Sequence, residues 1–250
     1  MSNILIVESK NDEFFVKALI EYMNLPYIQV DDPPICKIDD FECMDGLDSK
    51  KLEQRLTAIS NQLPKRNIES IGIVLDHDGK GAERIELINK AIHKVFTTEE
   101  DILKTGEFIS AVAEIGEDKF DISIACYLVN VDENGELETL LKAIKSKESP
   151  YADCLEVWRD CIENRLKAGT SEEKERIISK KEFDKFWLNN YIRFDTCSQK
   201  ERKQAEKKCS IKQFKYVLEN KRDIFDFDHP VLRNFKNFLT LFRTLSDKKS

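Results

Sequence analysis

The feature that most constrains the fold of this sequence is an alternation of short apolar runs with helical patterns over the first 131 residues. The runs predicted as strands are NILIVE, YIQVDD, SIGIVLDHDGKG, EFISAVAEIG and FDISIACYLVNV, with CKIDDF as a weaker candidate. Apolar residues recur at helical spacing in the segments NDEFFVKALIEYM, SKKLEQRLTAISNQLP and AERIELINKAIHKVF. This alternation indicates a mostly parallel sheet with helices on its faces.

The pattern changes to helix alone after the last of these strands. The predicted helices there cover 136–145, 152–167, 172–194, 199–220 and 231–245. The change falls near SKESPY, at residues 146–151. We therefore predict an α/β domain over residues 1–148, with a Rossmann-like sheet flanked by helices. An all-helical C-terminal region over 149–250 is expected to pack on this domain or extend from it.

The charge of the chain is unevenly distributed. Residues 1–170 carry 20 Lys and Arg against 34 Asp and Glu, whereas residues 171–250 carry 20 against 13. The net charges are therefore −14 and +7, which sum to the −7 of the whole chain. An acidic body argues against capture of nucleic acid by the whole surface, but the basic end leaves room for a local basic face or a docking surface.

The seven cysteines are odd in number and include no C-x-x-C pair. This usage indicates reduced thiols rather than a disulfide framework or a structural zinc site. Cys154 and Cys161 share a helical face near Trp158, and we predict that they are buried. No apolar run approaches the ~20 residues that span a bilayer, and the N-terminus lacks the basic region of a signal peptide. We expect a cytoplasmic protein without a membrane partner.

The run VLDHDGKG ends the strongest predicted strand in two aspartates, Asp76 and Asp78. Residues two apart in a strand point to the same face, and ligands of open α/β sheets bind at the carboxyl ends of strands. Two carboxylates there repel one another unless a cation lies between them, and oxygen ligands suit Mg²⁺. Because Asp and Gly are also common turn residues, this run alone does not separate a metal site from a turn.

The run ILIVESKNDEFF places a second set of acids in the same position. Glu8 also ends an apolar strand, and Asp12 lies in the first turn of the helix that follows. If the two strands are neighbours, Glu8 faces the Asp76/Asp78 pair and Asp12 reaches the same crevice. Acids are also favourable in the first turn of any helix. A cluster of three or four acids, with only Lys10 and Lys80 nearby in sequence, is better explained by a divalent-metal site for phosphate chemistry.

Together, VES-K-ND and GIVLDHDGKG resemble the signature of Toprim domains: a Glu that ends the first strand and an Asp-x-Asp that ends a later one. The resemblance covers about residues 3–131 and is closest to small Toprim-like nucleases of the overcoming-lysogenization-defect type. These also carry an acid four residues after the Glu, which Asp12 matches. Members often have Gly where this chain has Ser9. The resemblance implies a Toprim-like α/β fold.

The resemblance also implies roles for individual residues. Glu8 is expected to be a metal ligand and general acid/base. Asp76 and Asp78 would hold Mg²⁺ (or Mn²⁺), while Asp12 and Glu138, in NGELETLLKAI, would help to bind a second ion. For Glu138 a plain first-turn acid is an equal alternative, and Glu136 is interpreted as only that.

Three groups of basic residues accompany these acids in the sequence. Lys10 and Lys80 lie beside the acids and could meet the scissile phosphate, although solvated lysines are common. Residues 200–222 hold nine Lys and Arg against three Glu, interleaved with Phe214 and Tyr216. This segment could follow a nucleic-acid backbone, or it could be a solvated helix face.

Two functional hypotheses follow from this sequence. The first is a Mg²⁺-dependent Toprim nuclease that cleaves DNA or RNA, and the resemblance adds the context of anti-phage systems with an ABC-type ATPase partner. The second is a non-catalytic Toprim-like subunit that docks on a partner protein. A homodimer is left open in both. No sequence here supports a covalent hydrolase, a P-loop ATPase, a topoisomerase or a primase.

Overall fold

In the computed structural model, which describes residues 2–36, 47, 49–132, 135–204 and 208–247, six strands form one sheet. In chain order they are β1 (Ser2–Val7), β2 (Ile28–Val30), β3 (Ile68–Asp76), β4 (Thr97–Thr98), β5 (Phe108–Ile115) and β6 (Asp118–Val129). The order across the sheet is β2-β1-β3-β6-β5-β4. Strands β2, β1, β3 and β6 run parallel to one another. Strands β5 and β4 are antiparallel to their neighbours. The predicted α/β fold class is confirmed.

The described residues form ten α-helices, several of them short. They are α1 (Lys10–Tyr22), α2 (Ser49–Ser60), α3 (Gly81–Val95), α4 (Leu137–Ala143), α5 (Pro150–Lys167), α6 (Ser171–Lys174), α7 (Lys180–Asn190), α8 (Gln199–Gln204), α9 (Phe214–Asn220) and α10 (Arg233–Asp247). The chain divides into two units, Met1–Asn134 with Leu232–Ser250, and Gly135–Val231. The first unit contains the sheet, and the second is helical.

In the first unit, one face of the sheet packs against α2 and α3. Ile4 and Ile6 of β1 and Ile71 and Ile73 of β3 point to this face, since residues two apart in a strand share a side. The buried helical residues that meet them include Leu52, Leu56, Ile88 and Ile92. The residues between them on the strands, such as Leu5 and Val74, are buried as well. The parallel strands are therefore covered on both faces, which their continuous apolar runs predict.

The opposite face of the sheet is covered in part by α10, through an aromatic cluster. The ring of Phe235 stacks on Tyr127 with centroids 4.6 Å apart, and Phe242 meets Phe108 edge-on at 5.2 Å. Close approach is possible because β3 carries Gly72 at this point. A Cβ atom there would lie 2.7 Å from the Phe242 ring. Helix α10 therefore belongs to the sheet unit, and the predicted domain boundary at 148/149 stays a prediction.

The second unit has its own aromatic core. Trp187 stacks on Tyr191 with ring centroids 5.4 Å apart, and Phe214 meets Phe225 edge-on at 6.2 Å. Asp195 fixes the start of α5, because its carboxylate accepts hydrogen bonds from the first free backbone N–H groups of that helix at 2.9 and 3.0 Å. The aromatic side chains form a buried hydrophobic centre within residues 135–231.

Two of the predicted long helices are wrong. Residues 172–194 divide into α6 and α7, because a capping box between Ser179 and Glu182 starts a new helix. Residues 199–220 divide into α8 and α9, with a short 3₁₀ turn capped by Ser210 before α9. The two-residue edge strand β4 was not predicted, and the segment CKIDDF lies, apart from Cys36, outside the described residues.

The cysteines differ from the prediction of reduced, buried thiols. Cys197 and Cys209 form a disulfide within the second unit, with sulfurs 2.21 Å apart, and Cys36 is also disulfide-bonded. Spacing in the sequence did not reveal the Cys197–Cys209 pair because only the fold of the second unit brings their Cα atoms to 6.3 Å across a separation of 12 residues. Cys154 and Cys161 are exposed rather than buried, since α5 turns this face to solvent and buries Ala152 instead.

Candidate metal centre

The carboxyl edge of the sheet brings the first two predicted acids together. Strands β1 and β3 are parallel neighbours, with Val7 opposite Val74, so Glu8 and Asp76 end at the same edge. One oxygen of the Glu8 carboxylate, Oε2, accepts a hydrogen bond from the backbone N–H of Asp76 at 3.2 Å. Glu8 is only 9% exposed. A carboxylate is therefore held at the end of β3 by the pairing of two central strands.

Asp78 reaches this edge through a turn rather than through strand alternation. Strand β3 ends at Asp76, and Asp78 and Gly79 both adopt left-handed backbone conformations, with φ of 50° and 68°. Asp is one of the few non-glycine residues that tolerate this region. The turn leads directly into α3, where Gly81 is packed so closely on His77 that a Cβ would lie 2.5 Å from the ring nitrogen Nε2.

One group of acids in the described residues has the spacing of a metal site. Carboxylate oxygens of Asp76, Asp78 and Glu136 all lie within 4.8 Å of one another. Octahedral Mg²⁺ holds oxygen ligands at about 2.0–2.1 Å, so opposite ligands are about 4.2 Å apart. The upper limit of 4.8 Å on the present spacing is close to this distance. Three carboxylates form a hard-oxygen donor set that fits Mg²⁺ or Mn²⁺.

Glu136 is the member of this group that the sequence analysis missed. It occupies the N-cap position of α4 and is only 3% exposed. The sequence assigned it no role beyond a favourable interaction with the helix dipole. The signal available was its place shortly after β6, which pairs with β3 so that Val129 lies opposite Asp76. Acids that follow neighbouring parallel strands are candidates for one site even without a motif.

Two of the three carboxylates in the group are paired with basic side chains that the sequence analysis did not connect with them. Nη2 of Arg84 lies 2.5 Å from Oδ2 of Asp78, and the ammonium of Lys181 lies 2.7 Å from Oε2 of Glu136. The Arg84–Asp78 pair is largely shielded from solvent, whereas Lys181 is half exposed and pairs with a buried Glu136. Arg84 is 8% exposed and Glu136 is 3% exposed. These cations offset part of the repulsion that three clustered carboxylates would otherwise create.

The two predicted phosphate-binding lysines contact other acids. Lys10 pairs with Glu13 at 2.6 Å and with Asp32 at 3.1 Å. Burial lowers the pKa of Lys10, but hydrogen bonds to these two carboxylates outweigh it and leave the pKa raised. Lys80 is exposed and lies 4.0 Å from Glu83 in the first turn of α3. Their predicted contact with phosphate stays a prediction.

The two predicted ligands of a second ion are both buried. Oδ2 of Asp12 accepts hydrogen bonds from the backbone N–H and the hydroxyl of Ser9, at 2.9 and 2.6 Å, and so completes a capping box that starts α1. Glu138 is 8% exposed in the first turn of α4. Neither belongs to the group with oxygens within 4.8 Å among the described residues. Their role at a second ion stays a prediction.

The basic segment 200–222 is folded into short helices rather than one continuous face. Phe214 is buried in the core of the second unit, so it does not offer a ring for base stacking. Tyr216 lies under the ammonium of Lys208, at 4.8 Å. Lys221 pairs with Glu201 at 2.6 Å, and this hydrogen bond is the main reason why the pKa of Glu201 falls to about 2. Residues 205–207 lie outside the described part of the segment.

Comparison with known proteins gives one match. Residues 2–244 match the model of a family described as a protein of unknown function, DUF3226. The searches of curated proteins and of solved structures returned no match. Within the described residues, no helix combines the length and the apolar character needed to cross a bilayer.

Proposed function

Since the chain belongs to the DUF3226 family, whose function is unknown, we propose from the site that it is a metal-dependent nuclease of the Toprim type. The observation that carries this proposal is the group Asp76, Asp78 and Glu136, with carboxylate oxygens within 4.8 Å of one another. Further support comes from Glu8, which reaches the same end of β3. The reaction proposed is hydrolysis of phosphodiester bonds in DNA or RNA.

The proposed roles follow from the contacts of each side chain. Asp76, Asp78 and Glu136 would hold a divalent ion, Mg²⁺ or Mn²⁺, which supplies stabilisation for negative charge on the attacking and leaving oxygens. Glu8 is shielded from solvent and accepts a hydrogen bond from the Asp76 backbone, which supports the proposed role of its carboxylate in accepting and returning a proton at the reacting oxygen. Asp12 and Glu138 are kept as candidate ligands of a second ion.

Phosphate positioning is proposed for the basic groups at the start of α3. Lys80 occupies the N-cap position of this helix, and its side chain is exposed. The first backbone N–H groups of a helix attract anions. A phosphodiester drawn to this point lies beside the turn that carries Asp78. Lys10 can join the same role only by leaving Glu13 and Asp32.

Cleavage assays with matched variants test this proposal. Plasmid, linear DNA and RNA would be incubated with the protein and Mg²⁺ or Mn²⁺, alone and with an ABC-type ATPase as the proposed partner. Asp76→Asn and Glu136→Gln keep side-chain shape but remove the charge, and each should lower cleavage at least a hundredfold. Asp121→Asn, an exposed acid at the start of β6, is the control and should cleave normally. Cleavage that survives in both site variants would contradict the proposal.

A second candidate function is a docking subunit without catalysis. Arg84 and Lys181 already pair with two of the three carboxylates, which is how a structural acid cluster would be stabilised. The second unit also exposes large apolar side chains, namely Tyr151, Val157, Trp158, Phe186 and Phe194. Exposed apolar patches are typical of interaction sites. Absence of any metal binding that depends on Asp76 would favour this function over the nuclease.

A further inference from the structure

Arg84 contacts the candidate metal centre in a way that the proposed ligand set does not explain. It lies one turn into α3, and its Nη2 is 2.5 Å from Oδ2 of Asp78. The two side chains are 10% and 22% exposed. A guanidinium and a divalent cation at the same carboxylate repel each other. An ion that binds to Asp78 must therefore compete with Arg84.

The guanidinium of Arg84 also retains unused hydrogen-bonding capacity. Its Nε is buried and has no hydrogen-bond partner among the described residues, although the side chain presents five donors in a fixed fork. Buried donors are rarely left without a partner, because the loss of water is then uncompensated. The fork of Nε and an Nη fits two oxygens of a phosphate group. The unpartnered donor therefore indicates an oxyanion as a second partner.

The position of Arg84 allows contact both with Asp78 and with an oxyanion. Asp78 precedes α3 and Arg84 follows in its second turn, with the backbone N–H of Arg84 bonded to the Lys80 carbonyl at 2.9 Å. The anion-attracting end of this 15-residue helix is thus adjacent to the guanidinium. A phosphate at that end would compete with Asp78 for the guanidinium.

We propose that Arg84 is a phosphate-binding residue held on Asp78, and that the divalent ion and a phosphodiester together transfer it from the carboxylate to a non-bridging phosphate oxygen. This inference rests on the proposed function. Arg84 competes with the ion for Asp78 and becomes available to the substrate once the ion is in place. The ion and the phosphodiester therefore bind with positive coupling, each raising the affinity of the other by the same factor.

If the ion pair between Arg84 and Asp78 were purely structural, removal of Arg84 would have the opposite effect on the affinity for the ion. If Arg84 served only to stabilise the turn, its removal would loosen Asp78 and weaken the binding of an ion. If it competes, its removal tightens binding of the ion and abolishes the coupling. The chain offers a matched control in the same unit, because Arg55 forms a partly buried pair with Asp31, with Nε 3.1 Å from Oδ2.

Calorimetric titration of Mn²⁺ into the full chain tests the proposal. Arg84→Gln should lower the Kd for Mn²⁺ three- to tenfold, and Arg55→Gln should leave it unchanged. A phosphorothioate-linked dinucleotide, which resists cleavage, should lower the wild-type Kd at least threefold, whereas an uncharged methylphosphonate dinucleotide should not. Arg84→Lys keeps the charge but loses the fork, so it should retain the wild-type Kd and lose the coupling. Thermal melting of each variant establishes that it is folded.

The outcomes separate this inference from the proposed function. If wild-type binding depends on Asp76 but Arg84→Gln fails to tighten it, the role of Arg84 is overturned and the metal centre stands. If neither the wild type nor Arg84→Gln shows Mn²⁺ binding that Asp76→Asn abolishes, both this inference and the proposed function are overturned. Binding that appears only in Arg84→Gln supports the competition directly. Loss of the dinucleotide effect in Arg55→Gln as well would show that the coupling does not belong to Arg84.

Discussion

At the scale of single residues, the candidate centre depends on which group forms an ion pair or a hydrogen bond with each acid. Asp78 is paired with an arginine, Glu136 with a lysine, and Glu8 with a backbone N–H. These partners differ in how readily they can be exchanged, because long side chains move while a backbone group in a parallel sheet does not. Glu8 is therefore held by a group that moves only with the sheet, whereas Asp78 contacts a long side chain that can move on its own.

The three free thiols among the described residues should differ strongly in reactivity. Burial raises the pKa of Cys126 in the central strand β6 to about 12, and the thiolate is the reactive form. Cys154 and Cys161 are exposed on α5. We expect N-ethylmaleimide at pH 7.5 to modify Cys154 and Cys161 in the native protein and to leave Cys126 unmodified, as read by peptide mass spectrometry. Modification of Cys126 should appear after unfolding in guanidinium. Equal labelling of all three in the native protein would contradict the burial.

The same burial predicts a loss of stability in alkali. Cys126 and Tyr127 both have pKa values raised to about 12, from ordinary values of 9.0 and 10.0. Above pH 9 the unfolded chain loses these protons before the folded chain does, so stability falls as pH rises from about 9 towards 12. We expect the Tm to fall over this range. Cys126→Ala should reduce the slope between pH 9 and 10.5, and Cys154→Ala, at an exposed thiol, should not.

At the scale of secondary-structure elements, α10 matters more than its position at the end of the chain suggests. Its buried side chains include Phe235, Phe238, Leu239 and Phe242. They cover a sheet face that carries Gly72, the close-approach point in β3. Removal of one of these rings leaves a cavity that rigid strands cannot close, which is the costly case among core substitutions.

We therefore expect Phe235→Ala to reduce the free energy of unfolding by about 3–5 kcal/mol. Phe235 contacts both Tyr127 and Phe15, with ring centroids 4.6 and 6.4 Å away. Asn237→Ala, on the exposed side of the same helix, is the control and should change stability by no more than about 0.5 kcal/mol. Urea denaturation followed by far-ultraviolet circular dichroism measures both. A similar small effect for both variants would mean that α10 contributes little to the sheet unit.

Elements with strong local periodicity were predictable, and those defined by distant contacts were not. The β1–α1 and β3–α3 units follow from apolar runs and helical spacing, and so does their meeting at one edge. The breaks at Ser179 and between α8 and α9 depend on capping residues inside otherwise helical patterns. Glu136 and Arg84 were missed because their significance depends on which carboxylates they meet. That is a property of the turns after β3 and β6, which no periodic pattern encodes.

At the scale of the whole molecule, the second unit contains a cross-link that the sequence did not indicate. The disulfide between Cys197 and Cys209 spans 12 residues and closes a loop around α8. Both cysteines are buried, and the ammonium of Lys221 lies 3.1 Å from the sulfur of Cys197. By the loop-entropy relation, a cross-link of this span is worth about 3 kcal/mol.

Reduction of this cross-link should therefore weaken the second unit. We expect a phosphine reductant to increase amide hydrogen exchange in α8 and α9, by an amount consistent with about 3 kcal/mol. The double variant Cys197→Ser/Cys209→Ser should show the faster exchange without reductant and no further response to it. An unchanged exchange rate in the wild type after complete reduction would show that the cross-link does not stabilise this unit.

The position of α10 in the chain has a consequence for biosynthesis. Strand β6 ends at Val129 and α10 begins at Arg233, so about a hundred residues are translated between them. At ribosomal rates of about 5–20 residues per second, the nascent sheet waits on the order of 5–20 s for the helix that covers Gly72 and Tyr127. During that interval the apolar surface that α10 covers in the folded protein lacks this helix. A newly made chain is therefore expected to depend on chaperones chiefly at this stage, before its last helix has emerged.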